Sequence, residues 1–233
     1  MTRRAGVPMH CYDGGMVDPR DAITVPLPAL RGRLHQYAAG VAAVAAIALI
    51  VLAPDARART AAAIYGAGLC VLFGMSALYH RWPGPIRFKP LLRRLDHSAI
   101  FVFIAASYTP VGLLVLPPPL GTIILAVAWT VALGGVIMSV AWIDAPRLVQ
   151  ASCYIAAGWV AVAALPQLLA AGLAPFVLFA AGGLVYSIGA LVYAVQRPDP
   201  WPRVFGFHEV FHTLVIAAAI VHFVAMAGWV IPR

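Results

Sequence analysis

Seven runs of about 20 apolar residues, each closed by a charged or proline-rich break, follow one another along this 233-residue chain. A bilayer's hydrocarbon core is roughly 30 Å thick, and about 20 residues of helix cross it. Without water to bond exposed N–H and C=O groups, successive runs of this length have few solutions besides a bundle of spanning helices. Their approximate limits are 36–53, 61–80, 97–116, 120–142, 151–170, 174–195 and 208–231. Pro54-Asp55 with Arg57 and Arg59 ends the first run, residues 81–96 part the second from the third, and Pro117-Pro118-Pro119 ends the third. The fifth run contains Pro166, which a membrane helix tolerates where its neighbours satisfy the freed carbonyl. The chain is 63% hydrophobic and 10% charged, against roughly 45–50% and 25% in soluble domains. The expected fold class is all-α, a polytopic seven-helix membrane bundle.

The formal charge of +8 does not mark a nucleic-acid partner, because the basic residues stand in short connections between apolar runs. They orient the chain instead. Arg3, Arg4, Arg20, Arg31 and Arg33 precede the first run, Arg81, Arg87, Lys89, Arg93 and Arg94 follow the second, Arg147 follows the fourth, and Arg197 and Arg203 follow the sixth. Only Arg57, Arg59 and Arg233 fall on the other side. By the positive-inside rule the N-terminus is cytoplasmic and the C-terminus outside. A multi-pass protein of the plasma (inner) membrane is expected.

Residues 1–30 are polar, lack an apolar stretch before a small-residue cleavage site, and read as a disordered cytoplasmic tail, with Met9 and Met16 as alternative starts. Residues 31–233 form the membrane domain. Cys70 and Cys153 lie within spans and read as small packing residues. Gly134-Gly135 and Gly182-Gly183 read as places of close helix approach.

An ionisable side chain inside a span is costly unless partnered, so each is a functional candidate. The second span ends in Ser76-Ala77-Leu78-Tyr79-His80, the third opens with Leu95-Asp96-His97-Ser98, and the seventh opens with His208-Glu209-Val210-Phe211-His212. With the orientation derived from Arg and Lys alone, His80, Asp96, His97, His208 and His212 share one leaflet depth. Each histidine by itself reads as a hydrogen-bonded interior residue; their convergence points to a metal. His208 and His212 are four apart on one helix face. Two such imidazoles plus a third from another helix are the usual ligands of a catalytic Zn²⁺ with an open fourth position. His80 is the best third ligand. Ser76, one turn before it, and Asp96 are placed to hydrogen-bond water at the metal or to orient a ligand.

The string from His208 to His212 also fits the HExxH pattern of zinc proteases, in which the glutamate is general base. Glu209 is rotated about 100° from His208 on an ideal helix, and nothing else in the chain resembles a protease. Glu209 is expected at the membrane interface near Arg197 or Arg203. His222 is 14 residues past His208, roughly 21 Å along the axis, too far to share the ion. It reads as a helix-to-helix hydrogen bond. Pro110, in Tyr108-Thr109-Pro110, is expected to kink the third span and open room for a substrate.

At these residues the sequence resembles the hemolysin III family of the progestin and adipoQ receptor superfamily. The strings that carry the resemblance are Ser76-Ala77-Leu78-Tyr79-His80, Leu95-Asp96-His97-Ser98-Ala99-Ile100, Ala106-Ser107-Tyr108-Thr109-Pro110, Phe205-Gly206-Phe207-His208-Glu209-Val210-Phe211-His212 and Val221-His222-Phe223. The resemblance as a whole covers roughly residues 31–231. Many members carry an acidic residue and an Asn before the first span, where this chain has Arg31-Gly32-Arg33-Leu34-His35-Gln36. The resemblance implies seven helices, a cytoplasmic N-terminus, and a zinc ion held by His80, His208 and His212, with Ser76 and Asp96 beside the bound water. It also implies kinship with ceramidase-like hydrolases that cleave a lipid amide, with Asp96 handling the proton. Three functions stay open: a zinc-dependent hydrolase of a membrane lipid amide or ester, a sensor or regulator of bilayer state with structural zinc, and the cytolytic pore of the family's name. Against the pore stand spans that are nearly all aliphatic.

Overall fold

Helix forms wherever an apolar run lies, and most of the helices begin before their run does. The computed structural model describes residues 11–12, 15–16 and 28–232. Seven helices are long and apolar enough to cross a membrane: Arg33–Leu52, Ala56–Arg81, Ile86–Val115, Leu120–Ala141, Arg147–Ala171, Leu173–Val195 and Phe207–Val230, the first to seventh spans. Of the tail expected over 1–30, only a two-stranded antiparallel ribbon, Cys11–Tyr12 with Gly15–Met16, and residues 28–30 lie among the described residues.

Several helices begin earlier than the apolar runs, because hydropathy measures the hydrocarbon while helix persists into the polar boundary. The second starts at Ala56, where the Asp55 carboxylate accepts the Ala58 N–H at 2.8 Å and satisfies an otherwise orphan donor. The third starts its α-helix at Lys89, with Pro90 in the first turn, where its missing N–H is not needed. Two turns of basic helix therefore precede the apolar part of that span.

Prolines break two spans where the sequence placed them. After Pro110 the third span widens into a π-helical turn, Val111–Val115. The fifth span is not one helix: Arg147–Gly158 gives way to a 3₁₀ stretch, Trp159–Ala164, and then to the short helix Leu165–Ala171 with Pro166 in its first turn. The neighbour that answers this break is Tyr108. Its hydroxyl accepts the Ala161 N–H at 2.7 Å and donates to the Gly158 carbonyl at 2.5 Å.

Consecutive spans pack side by side from first to fourth and from fifth to seventh, and the first touches the seventh, closing the bundle. The third is the most enclosed. On the first span Val41, Val44, Ile47 and Val51 form an exposed apolar stripe, while His35, Ala42, Ala46 and Leu49 face inward. An outward apolar stripe of this kind is what a lipid solvent requires. Only one glycine of each expected pair makes a close approach: a Cβ on Gly135 would run into the Phe101 ring and one on Gly182 into His222, whereas Gly134 and Gly183 face open space. Cys70 and Cys153 are free thiols packed against the core.

Tyr108→Phe keeps the ring and removes both bonds across the break in the fifth span. The expected loss is about 1–3 kcal/mol of stability, the cost of buried groups left unpaired, read as a lower unfolding midpoint in detergent. An unchanged midpoint would mean that the 3₁₀ stretch finds its partners elsewhere.

Candidate metal centre

The seventh span is anchored at its start by carboxylates. Glu209, third in the helix, reaches back so that Oε2 accepts the Gly206 N–H at 2.9 Å, and Asp199 Oδ1 accepts the Phe207 N–H at 2.8 Å. The other Glu209 oxygen, Oε1, accepts from Arg31 Nε at 2.6 Å, with the two side chains 1% and 9% exposed. The ion-pair partner of Glu209 is thus Arg31, from the segment before the first span, and not Arg197 or Arg203 as the sequence suggested. Two backbone bonds add to this tie, from Ala29 N–H to the Arg203 carbonyl at 3.1 Å and from Leu30 N–H to the Val204 carbonyl at 3.3 Å. With both oxygens engaged, Glu209 serves the helix start and not a protease-type base.

This anchoring fixes the first turns of the seventh span, and with them His208 and His212. Both rings face the last turn of the second span. His80 Nε2 stands 3.0 Å from His208 Nε2. The His80 ring centroid lies 4.7 Å from that of His208 and 5.2 Å from that of His212. One ligand nitrogen from each of the three residues lies within 4.8 Å of the others. A tetrahedral zinc ion with Zn–N of about 2.0–2.1 Å separates its nitrogens by roughly 3.3 Å, inside the range this cluster spans. The donor set fits a borderline-soft divalent ion, and the triad can hold one.

His35, on the first span, was not among the ligands or helpers read from the sequence. It is 2% exposed and lies flat on His212, with ring centroids 3.8 Å apart and planes 2° from parallel. Neither of its ring nitrogens has a hydrogen-bond partner. The available signal was its depth, two residues past Arg33 at the same end as His80. Gly32 brings the chain there: it adopts φ +74°, and a Cβ on it would come within 2.6 Å of the His80 Cβ. Only a residue without a side chain fits against the ligand while turning left-handed.

Asp96 Oδ2 is 3.9 Å from His80 Nε2, with the carboxylate side chain 14% exposed. Ser76 is buried, and it lines a cavity of about 270 Å³ together with His35, Asp96, His97, His208 and His212. The cavity reaches Leu116, Ile124 and Met226 at the opposite end. From Asp96 to Leu116 that is roughly 30 Å at helical rise, the thickness of a hydrocarbon core. At the end that carries the basic connections, a narrow space bounded by Arg93, Arg147 and Tyr193 adjoins Asp96, His97 and His208. His222 makes the helix-to-helix bond expected of it, from Nε2 to the Phe179 carbonyl at 3.2 Å.

Residues 24–223 match the family model described as Haemolysin-III related. The chain belongs to the hemolysin III family. It is 33% identical over 183 residues to Hemolysin-3 of Bacillus cereus, an alignment covering 76% of this chain and 78% of that protein. Over 185 residues it is 29% identical to the monocyte to macrophage differentiation factor of Homo sapiens, covering 75% and 72%. A 46-residue stretch is 50% identical to the adiponectin receptor protein of Drosophila melanogaster, 18% of this chain and 10% of that one. These relatives place this hemolysin III protein with the progestin and adipoQ receptor type. No solved structure matches it.

Glu209→Ala strands the Arg31 guanidinium beside a buried helix start and is expected to cost about 3–5 kcal/mol. The double variant Arg31→Met, Glu209→Leu recovers most of that loss in the same detergent unfolding experiment, because it leaves no uncompensated charge. Equal losses in the single and double variants would show that the pair adds nothing beyond packing.

Proposed function

We propose that this hemolysin III protein is a zinc-dependent hydrolase of a lipid amide or ester, seated in the plasma membrane with its N-terminus in the cytoplasm. One observation carries the reading: three histidines from two spans converge, and two of them, His208 and His212, line one end of an apolar cavity roughly as long as a bilayer core is thick. His80, His208 and His212 would hold the ion. Bound zinc supplies Lewis acidity beside the scissile carbonyl and makes water acidic enough to react near neutral pH.

The remaining work falls to the protein. The apolar wall holds the acyl chain and excludes bulk water. Asp96, beside His80, takes a proton from the attacking water and returns it to the leaving nitrogen or oxygen as the C–N or C–O bond breaks. The Ser76 hydroxyl orients that water. His35 holds the ring plane of His212 by stacking. Among the described residues the cluster has three donors, which favours an open site over the closed four-ligand site of a structural zinc. The lining of the cavity is mostly apolar, with its one carboxylate, Asp96, at the histidine end, which disfavours a polar pore through the bundle.

Elemental mass spectrometry on purified protein is expected to find about one zinc per chain, lost in His208→Ala. Wild type then releases fatty acid from a ceramide-class amide or an ester lipid, and Asp96→Asn slows that release by about 10²–10⁴-fold with zinc retained. A folded wild type without zinc would sink the reading. Zinc without turnover of any amide or ester lipid would favour the regulator.

Orientation has its own check. A cysteine introduced by Arg81→Cys in a chain freed of its native cysteines stays unlabelled by an impermeant maleimide in intact cells and reacts after permeabilisation. Labelling in intact cells would reverse the orientation.

A further inference from the structure

Burial sorts the basic side chains at the end of the bundle that holds the histidines. Arg81, Arg87 and Arg197 are exposed, and water suffices for them. A charged group withdrawn from water needs an acceptor within the protein, and most of the half-buried ones have it. Arg31 is held by Glu209, Lys89 by the Tyr79 carbonyl, Arg93 by Asp144 at 3.1 Å and Arg94 by the Val140 carbonyl at 3.1 Å. Arg147 is the exception. It is half-buried, and among the described residues its guanidinium has no hydrogen bond or ion pair.

The nearby carboxylates are committed elsewhere. Asp144, three positions before Arg147, is taken by Arg93, and the first turn of the fifth span, which Arg147 opens, contains no acidic residue. Asp96 lines the same small space as Arg93 and Arg147, yet it stands 3.9 Å from His80 and forms no ion pair with Arg147. The anion that matches this guanidinium is not among the described residues. Arginine's planar fork suits a carboxylate or a phosphate, each met through two parallel bonds.

Position narrows the choice. A lipid with its carbonyl at the histidines and its chain along the apolar cavity points its head group back toward this basic end. In membrane lipids the anion a few bonds beyond an ester or amide carbonyl is the head-group phosphate. The space that Arg93 and Arg147 border adjoins Asp96 and His208, but at about 10 Å³ it holds no more than a water. The anion therefore sits at its rim, where both arginines are partly exposed. Arg93 uses one nitrogen on Asp144, whose side chain is 65% exposed, and keeps its other N–H donors. We propose that Arg147, assisted by Arg93, binds a phosphate on the head group of the lipid that occupies the cavity. The proposal rests on the reading of the cavity as a lipid site, narrows that lipid to one with a phosphorylated head, and needs neither zinc nor turnover.

Equilibrium binding of radiolabelled dioctylglycerol and its phosphate to the full-length protein in a non-ionic detergent tests it; both are ether lipids, with no acyl bond to cleave. The phosphate form is expected to bind wild type about tenfold more tightly, equivalent to about 1.4 kcal/mol. Arg147→Gln brings the ratio close to unity and leaves dioctylglycerol binding unchanged, whereas Arg197→Gln, at an exposed arginine of the same face, keeps the preference. Inorganic phosphate at equal concentration does not displace the phosphorylated lipid. Equal affinities in wild type, or a preference that both substitutions lower alike, overturn the phosphate site and leave the lipid cavity standing. Displacement by inorganic phosphate overturns the head-group assignment in favour of a free anion. If neither lipid binds, the phosphate site and the lipid reading of the cavity both fall.

Discussion

A polar group inside a bilayer has no water to fall back on, and each one needs a partner supplied by the protein. That requirement dictates helix for the spans, and it also accounts for the departures from helix. Where the fifth span tightens into a 3₁₀ stretch, the Tyr108 hydroxyl takes up both an amide and a carbonyl. Where Pro110 interrupts the third, the Thr109 hydroxyl bonds the Ala105 carbonyl at 3.2 Å and accepts from Trp129 at 3.3 Å, joining the third span to the fourth. Among the buried side-chain atoms left without a partner, those of His35 and Tyr186 belong to residues that line the cavity.

The histidine cluster depends on how the bundle closes. Spans two and seven supply the three ligand candidates, but nothing in either sequence forces them together. The first span does so, because it packs on the second and touches the seventh. Its entry segment is pinned twice over, by the Arg31–Glu209 pair and by Gly32 lying against His80. The same segment delivers His35 onto the face of His212. The segment just before the first span therefore packs against the histidine cluster without belonging to the triad.

Much of this was legible in the sequence because hydropathy and charge are local signals. The seven spans follow from run length, and the grouping of His80, Asp96, His208 and His212 follows from depth once Arg and Lys have set the alternation. His222 was readable as a bundle contact from its axial distance alone. What escaped required knowledge of which helices are neighbours. Glu209 was assigned to the nearby Arg197 or Arg203, whereas its partner Arg31 is 178 positions away. His35 sat in a stretch notable mainly for the acidic residue it lacks, and only the contact of the first span with the seventh makes it part of the site. The early helix starts were missed for a different reason: an apolar run reports the hydrocarbon boundary, while caps such as Asp55 decide where helix begins.

The polar asymmetry of the cavity bears on how a lipid would reach the site. His208, His212, Asp96 and Ser76 gather at the end that carries the basic connections, and the far end is lined by aliphatic side chains such as Leu116 and Ile124. A lipid in the leaflet on that basic side already holds its carbonyl near the polar boundary and its chain pointing toward the bilayer centre. Entering a cavity of this polarity, it keeps both at nearly their original depth, so neither the head group nor the chain exchanges one environment for the other. The main change is that the carbonyl loses its water and meets imidazoles and a carboxylate fixed in place. Desolvation in a site whose dipoles are already oriented is where electrostatic stabilisation of a reacting carbonyl is strongest. A site at the bilayer centre would first have to pull the carbonyl through hydrocarbon, so the proposed reaction on a lipid is compatible with the depth of the histidines.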